Sequence, residues 1–213
     1  VSRGGGRPKA LLVNPPVYDF ALYDLFLKPY GLLRAGMHLH NNGWDTAVVD
    51  ALDYEDPASA AVIGRPRRKE DGTGKMFRAP ASPPAGLESC GRRYSRYGIL
   101  PESLERRIAA AGGGEGGREF RPPDVILVGT GMTYWYPGAV EAVRLCRKVF
   151  PGVPVLAGGI YASLMPDHCS RATGADAVIA GDGGRGLAKN LPCFGLPAPE
   201  GPFPAAPLPL PGV

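Results

Sequence analysis

Between residues 125 and 163 the chain passes from one unbroken apolar run to another through a single helical pattern. It reads V-I-L-V-G-T-G-M-T-Y-W-Y-P-G, continues with Val140, Val143, Cys146 and Phe150 on one helical stripe, and closes with P-G-V-P-V-L-A-G-G-I-Y-A-S. A strand with one face in water alternates apolar and polar residues. These two runs do not alternate, so each is expected to be buried on both faces, as strands of a parallel sheet covered by helices are. Both runs end in glycine and other small residues, at the edge where such sheets open their ligand crevices. A chain with this unit at its centre is expected to be an open α/β sheet.

The rest of the chain repeats the unit. Residues 9–14 (K-A-L-L-V-N) are predicted to form the first strand. Residues 30–42 are predicted to form a helix with Leu32, Leu33, Gly36, Met37 and His40 near one face, stopped at Asn42-Gly43. Residues 46–50 (T-A-V-V-D) give a second strand, and a βαβ connection of this length makes the two parallel. The third strand is expected at 124–129, a helix at 137–150, the fourth strand at 153–157, a short helix at 166–172 stopped by Gly174, and the fifth strand at 176–180. A glycine-rich turn at 181–184 and a short helix to residue 191 follow. The expected fold is α/β: a flavodoxin-like or Rossmann-like five-stranded parallel sheet in the order 2-1-3-4-5, with helices on both faces. Its crevice would gather residues 14–18, 130–136, 158–163 and 181–184.

Three segments interrupt this pattern. Residues 17–29 read as a loop rich in aromatic and aliphatic side chains, expected to fold over the crevice or to pack on the core. Residues 52–123 are too long for one crossover and read as an insertion between strands 2 and 3: a lid, a docking arm or a solvated excursion. Within it, 63–84 is basic and proline-rich without periodicity, 102–111 is expected to be helical and 112–117 to be a flexible linker. The 31 glycines and 24 prolines concentrate outside the repeating unit. Residues 1–8 accordingly read as a disordered N-terminus, 9–191 as one domain, and 192–213 as a proline-rich tail or linker.

Several function classes find no support. A net charge of +4 is too mild to imply nucleic acid. The basic run Arg65, Arg67, Arg68, Lys69 lacks interleaved aromatics and reads as a solvated loop. Arg92, Arg93, Tyr94, Arg96 and Tyr97 read as packing for the insertion. Cys90, Cys146, Cys169 and Cys193 are too dispersed for a zinc site, a redox pair or an iron–sulfur cluster. Gly72-Thr73-Gly74-Lys75 fails as a phosphate loop, because Lys69 and Met76 stand where glycine and a hydroxyl residue are required. Gly181-x-Gly183-x-x-Gly186 matches a dinucleotide fingerprint but follows the last strand rather than the first. His38, His40 and His168 suggest no metal site, and no Ser-His-Asp or Cys-His set is apparent. With no apolar run long enough for a membrane span and no leader-like apolar core, the expectation is a soluble cytoplasmic protein.

What remains are the two glycine-rich exits. Thr130-Gly131-Met132-Thr133 leaves the third strand, and Gly158-Gly159 follows twenty-five residues after Thr133. The chain here resembles the cobalamin-binding domain found at the N-terminus of many radical S-adenosylmethionine enzymes and related to that of methionine synthase. That family carries Ser-x-Leu after strand three and Gly-Gly after strand four. Thr130 stands for the serine, Met132 for the leucine, and Gly158-Gly159 for the pair. The opening Val13-Asn14-Pro15-Pro16, the Tyr30-Gly31-Leu32-Leu33-Arg34 helix and the Gly181-x-Gly183 turn extend the likeness over about residues 9–190.

The resemblance implies a cobalamin site formed by Asn14, Pro15, Thr130, Gly131, Met132, Thr133, Tyr134, Trp135, Gly158, Gly159, Tyr161, Gly181 and Gly183, with no catalytic residue and no protein metal ligand. Two departures qualify it. The family's Asp-x-His-x-x-Gly should lie between Asn14 and Gly31, where no histidine occurs, so the cofactor is expected to be histidine-off, facing Tyr134, Trp135 or Tyr136. The radical domain with its three-cysteine motif is not in this chain. An iron–sulfur cluster, S-adenosylmethionine and the methyl-transfer chemistry are therefore expected only with a domain outside it. The alternatives are a cofactor-free regulatory or interaction domain that docks through the insertion, and a nucleotide-binding α/β domain.

Overall fold

The computed structural model describes residues 6–112 and 121–206. The strands and helices, in chain order, are β1 (Lys9–Asn14), β2 (Val17–Asp19), α1 (Tyr30–Asn41), β3 (Asp45–Asp50), α2 (Pro57–Ile63), β4 (Arg78–Pro80), β5 (Ser95–Tyr97), α3 (Pro101–Ala110), β6 (Val125–Thr130), α4 (Tyr136–Val149), β7 (Val155–Gly159), α5 (Ile160–Leu164), α6 (Pro166–Thr173), β8 (Ala177–Ile179) and α7 (Gly183–Asn190). A 3₁₀ turn at Thr133–Trp135 leads into α4.

Five strands form a parallel sheet in the order β3-β1-β6-β7-β8. Three short strands the sequence reading did not anticipate, β2, β4 and β5, interleave along the chain and form a second, antiparallel sheet in the order β2-β5-β4. They alter the numbering relative to the expected 2-1-3-4-5. Within the large sheet alone the spatial succession is second, first, third, fourth, fifth. This architecture fits a flavodoxin-like or Rossmann-like α/β fold.

The period of two explains why the strands had to be apolar throughout. Leu11, Val13, Ile126, Val128 and Val155 face one side and join Leu104 and Ile108 of α3 and Val143 and Cys146 of α4 in one core. Their neighbours Ala10, Leu12, Val125, Leu127 and Leu156 face the other side and join Leu32 and Leu39 of α1 and Leu187 of α7. Each strand thus supplies alternate side chains to two different cores. One polar device recurs at the sheet's opposite edge: Asp124 accepts a hydrogen bond from the Lys9 amide and Asp176 one from the Val155 amide, both at 2.8 Å.

The glycine pair lies in the last two positions of β7, not beyond the strand, and α5 begins directly after it. Residues 17–29 are not wholly loop, because Val17–Asp19 pairs with β5. On α1 it is His38 that turns inward, while His40 is exposed. The expected linker at 112–117 falls, apart from Gly112, outside the described residues, as do residues 1–5 of the N-terminus.

The insertion is not a solvated excursion. Phe77, Ile99, Leu104 and Ile108 belong to the main core, and Leu52, Met76 and Tyr97 form a smaller one with Val17. Residues 63–84 gave no periodic signal because their buried side chains, such as Met76 and Phe77, sit in irregular chain, and the one three-residue strand that follows them has no buried residue. The described part of the tail also departs from expectation. Leu196 is buried in the core beside α7, and Asn42 and the Glu200 backbone exchange two hydrogen bonds. A stretch of Pro, Ala and Gly hides such anchoring, because each anchor is a single residue. Residues 207–213 lie outside the described residues.

Asp56 shows how the insertion is secured. It caps α2 through the Ser59 amide at 2.8 Å, accepts the Ser103 hydroxyl at 2.8 Å and pairs with Arg107 at 2.8 Å. Burial raises its pKa, but the Ser59 and Ser103 hydrogen bonds and the Arg107 charge prevail and hold it at about 2. A carboxylate depressed in the folded state stabilises the fold fully above its unfolded pKa of about 4, and that contribution fades as pH falls toward 2. Asp56→Asn is therefore expected to unfold at lower temperature than the parent at pH 7. The gap should narrow steadily between pH 4 and pH 2 in thermal melts.

Candidate functional site

A cavity of about 520 Å³ opens at the carboxyl ends of β1, β6, β7 and β8. It lies where the connections from β1 and β6 leave in opposite directions, as the topology requires of a ligand crevice. Of the thirteen residues expected to form the site, eleven line it: Asn14, Pro15, Thr130, Gly131, Met132, Trp135, Gly158, Gly159, Tyr161, Gly181 and Gly183. Thr133 and Tyr134 do not. The 3₁₀ turn carries Tyr134 outward, where it is 54% exposed.

The glycines have separate physical reasons. A Cβ on Gly159 would lie 2.3 Å from the Thr130 carbonyl oxygen, and its φ of 126° is itself unfavourable for a side chain. A Cβ on Gly158 would meet only Ile179 at 3.5 Å, an ordinary contact. Ile179 and Gly158 both line the cavity, so a Cβ at 158 would fit there in contact with Ile179, and the chain's own packing does not require glycine at this position. Gly131 has a third role. The Trp135 ring lies over it, 2.7 Å from where a Cβ would stand.

The hydroxyl of Thr130 is already engaged. It donates to the Gly158 carbonyl and accepts from the Ala162 amide, both at 3.1 Å, joining β6, β7 and α5. Its proton is therefore committed inside the protein, and donating it to a ligand would require releasing Gly158. Trp135 is fixed by its indole N–H, which donates to Asp19 at 2.8 Å. Tyr161 lines the cavity with its hydroxyl turned away to His168 Nδ1 at 2.6 Å, and burial pushes its pKa up to about 12. His168 thus anchors a wall and stands next to Tyr136 edge-on.

Polar groups are few and stand at the mouth. Asn14 donates to Asp50 at 2.7 Å, and burial of Asp50 raises its pKa despite that bond and the nearby Lys28. Lys28, Arg34 and Asp182 also border the cavity. Around them Met132, Ile160 and Tyr30 present apolar surface to solvent. Among the described residues, no group of three or more His, Cys, Asp and Glu side chains is placed to hold a metal ion. No helix among them is long and apolar enough to cross a membrane. An apolar enclosure with a sparse polar rim is suited to holding the apolar part of a ligand in a set orientation.

The site has members outside the expected crevice segments: Lys28 from the 20–29 loop and Phe203 from the tail. Phe203 lies over Gly183 and Gly184, with Arg34 stacked 4.6 Å from its ring centre and His38 meeting it edge-on. The Pro204 carbonyl accepts from Arg34 Nε at 2.5 Å. Arg34 and His38 of α1 and Asn42, the residue capping its C-terminus, are spaced four apart on one stripe, and together they strap residues 200–204 down. A lone phenylalanine in a Pro/Ala/Gly segment gave no signal of this. The same ring covers the start of α7, the place a pyrophosphate would occupy if Gly181–Gly186 acted as a dinucleotide loop. In the structure Gly181 makes a turn at φ 75°, and a Cβ on Gly186 would lie 2.2 Å from Ile179. No protein-family model matches this chain, and no curated protein matches its sequence.

Proposed function

We propose that this domain is a cobalamin-binding module. The carrying observation is that eleven of the thirteen residues the resemblance implies, spread over four strand exits that topology also sends to this edge, border one apolar cavity. The residues present fit the group in two respects: the space left beside Gly158, and the apolar walls supplied by Leu127, Leu156 and Ile179. Bound cobalamin would supply a methyl-carrying or radical-generating centre, used with a catalytic domain outside this chain.

The chain's own residues bind and orient. Gly158 gives the ligand backbone rather than a side chain to lie against, whereas the open face of Gly183 is covered by Phe203. Trp135, held by Asp19, offers a rigid ring, and Tyr136 stands beside it in the wall. Histidine is absent from the 14–31 segment, so no imidazole there reaches the ligand. Asn14 and Lys28 give the mouth hydrogen-bonding and charge for a ligand's amide or phosphate groups.

The test is to mix the purified protein with hydroxocobalamin and pass it through gel filtration. The expected result is a red chromophore travelling with the protein at about one per chain. A colourless protein peak would overturn the proposal.

A further inference from the structure

The insertion has a second feature beyond its packing. Arg68, from the basic run, is turned inward. Its guanidinium pairs with Asp24 at 2.6 Å, donates to the Gly72 carbonyl and to the Lys75 carbonyl, and stacks 3.7 Å from the Tyr54 ring centre. Asp24 is buried, and its other oxygen accepts from the Leu27 amide at 2.7 Å. Its backbone also exchanges two hydrogen bonds with Gly74, at 2.8 and 3.1 Å. The turn at 67–75 is thereby fastened to the 20–29 loop at one point.

That point lies next to the cavity. Leu27, Lys28 and Pro29, directly after the fastened turn, form one of its walls. Beneath them Leu27 packs in the small core of Val17, Leu52, Met76 and Tyr97, with Tyr54 and Trp135 alongside. Between Asp24 and Leu27 stands Phe26, the only non-glycine residue with a positive φ among the described residues, at 63°. A bulky residue in that conformation persists only where its surroundings impose it. Leu25 and Phe26 are left 70% and 66% exposed at the tip. The ion pair fixes the Asp24 carboxylate that holds the Leu27 amide, so its loss leaves the wall that follows held by the two backbone bonds to Gly74 and by the packing of Leu27.

We infer that Arg68 is a positioning residue for ligand binding: acting through Asp24, it holds the 27–29 wall of the cavity in its binding conformation. This rests on the cavity being the cobalamin site. It also assigns the insertion a role that its basic, aperiodic sequence concealed. The fork geometry matters, because the guanidinium engages Asp24 and two carbonyls at once and a lysine ammonium does not.

Three variants test it: Arg68→Met, Arg68→Lys and Asp24→Asn. Hydrogen exchange without ligand is read for the 20–29 segment and for β1 and β6. Arg68→Met is expected to speed exchange at the Asp24 and Leu27 amides tenfold or more while β1 and β6 keep their protection. Hydroxocobalamin affinity is expected to fall about tenfold in the same variant, with Arg68→Lys restoring little of it. The double variant should be no worse than Arg68→Met, because both changes remove one link. Unchanged exchange at 20–29 overturns the inference whether or not cobalamin binds. Faster exchange with unchanged affinity overturns the positioning role. If the parent protein retains no hydroxocobalamin, the cobalamin reading falls by itself, and exchange alone then decides whether Arg68 holds the loop.

Discussion

Glu141→Ala is expected to lower the free energy of unfolding by about 3–5 kcal/mol, the range for removing one partner of a buried ion pair. Glu141 lies on α4 with only 7% of its side chain exposed, and Arg96 of β5 is equally buried. Their contact is two-pronged, with Arg96 Nη2 on Oε1 at 2.7 Å and Nε on Oε2 at 2.8 Å. Tyr18 of β2 donates its hydroxyl to Oε2 at 2.7 Å, and burial together with this carboxylate raises the Tyr18 pKa. Removing Glu141 leaves a buried guanidinium with the carbonyls of Gly98 and Ile99 but no carboxylate partner. For a domain of this size, the loss corresponds to a fall in Tm of roughly 10 °C. Replacing both partners, as Glu141→Leu with Arg96→Met, should recover much of it, since the cost lies in the uncompensated charge rather than in the absent attraction. Thermal melts of the parent, Glu141→Ala and the double variant check this. Equal melting of Glu141→Ala and the parent would mean that the small sheet is not held by this pair.

The two glycines of the pair are expected to respond in opposite ways. Gly159→Ala should cost about 2–6 kcal/mol: roughly 1–3 for a side chain in a glycine-only backbone conformation and roughly 1–3 for the clash with Thr130. Gly158→Ala should fold within about 1 kcal/mol of the parent, because its Cβ meets only Ile179 at contact distance and glycine gains nothing in a strand. Gly158→Val should likewise fold, yet lose the red chromophore, because its methyls enter the cavity. Circular dichroism and melting separate the two effects. If Gly158→Val bound hydroxocobalamin as the parent does, the pair would be there only for the close contact at Gly159.

The large sheet was legible because each of its strands is a local event: a short apolar run bounded by proline, glycine or aspartate. The site residues were legible for the same reason, since they are strand exits, and topology sends strand exits to one edge. Misreadings arose where contacts depend on distant partners. Tyr134 and Trp135 are adjacent and similar in sequence, but the 3₁₀ turn and the Asp19 acceptor send only the indole inward. Thr130 has a hydroxyl that could hold a ligand, but the Gly158 carbonyl and the Ala162 amide engage it.

The helix and strand periodicities and the glycine exits required no knowledge of distant contacts, and from them alone the parallel sheet and the position of its crevice followed. The walls of that crevice came only with the folded chain. Arg68 reads as a solvated charge until Asp24, forty-four residues earlier, is brought to its guanidinium. Phe203 reads as part of a tail until Arg34 is brought under its ring. Both depend on which side chains long-range packing places together, and no local pattern of residues encodes that.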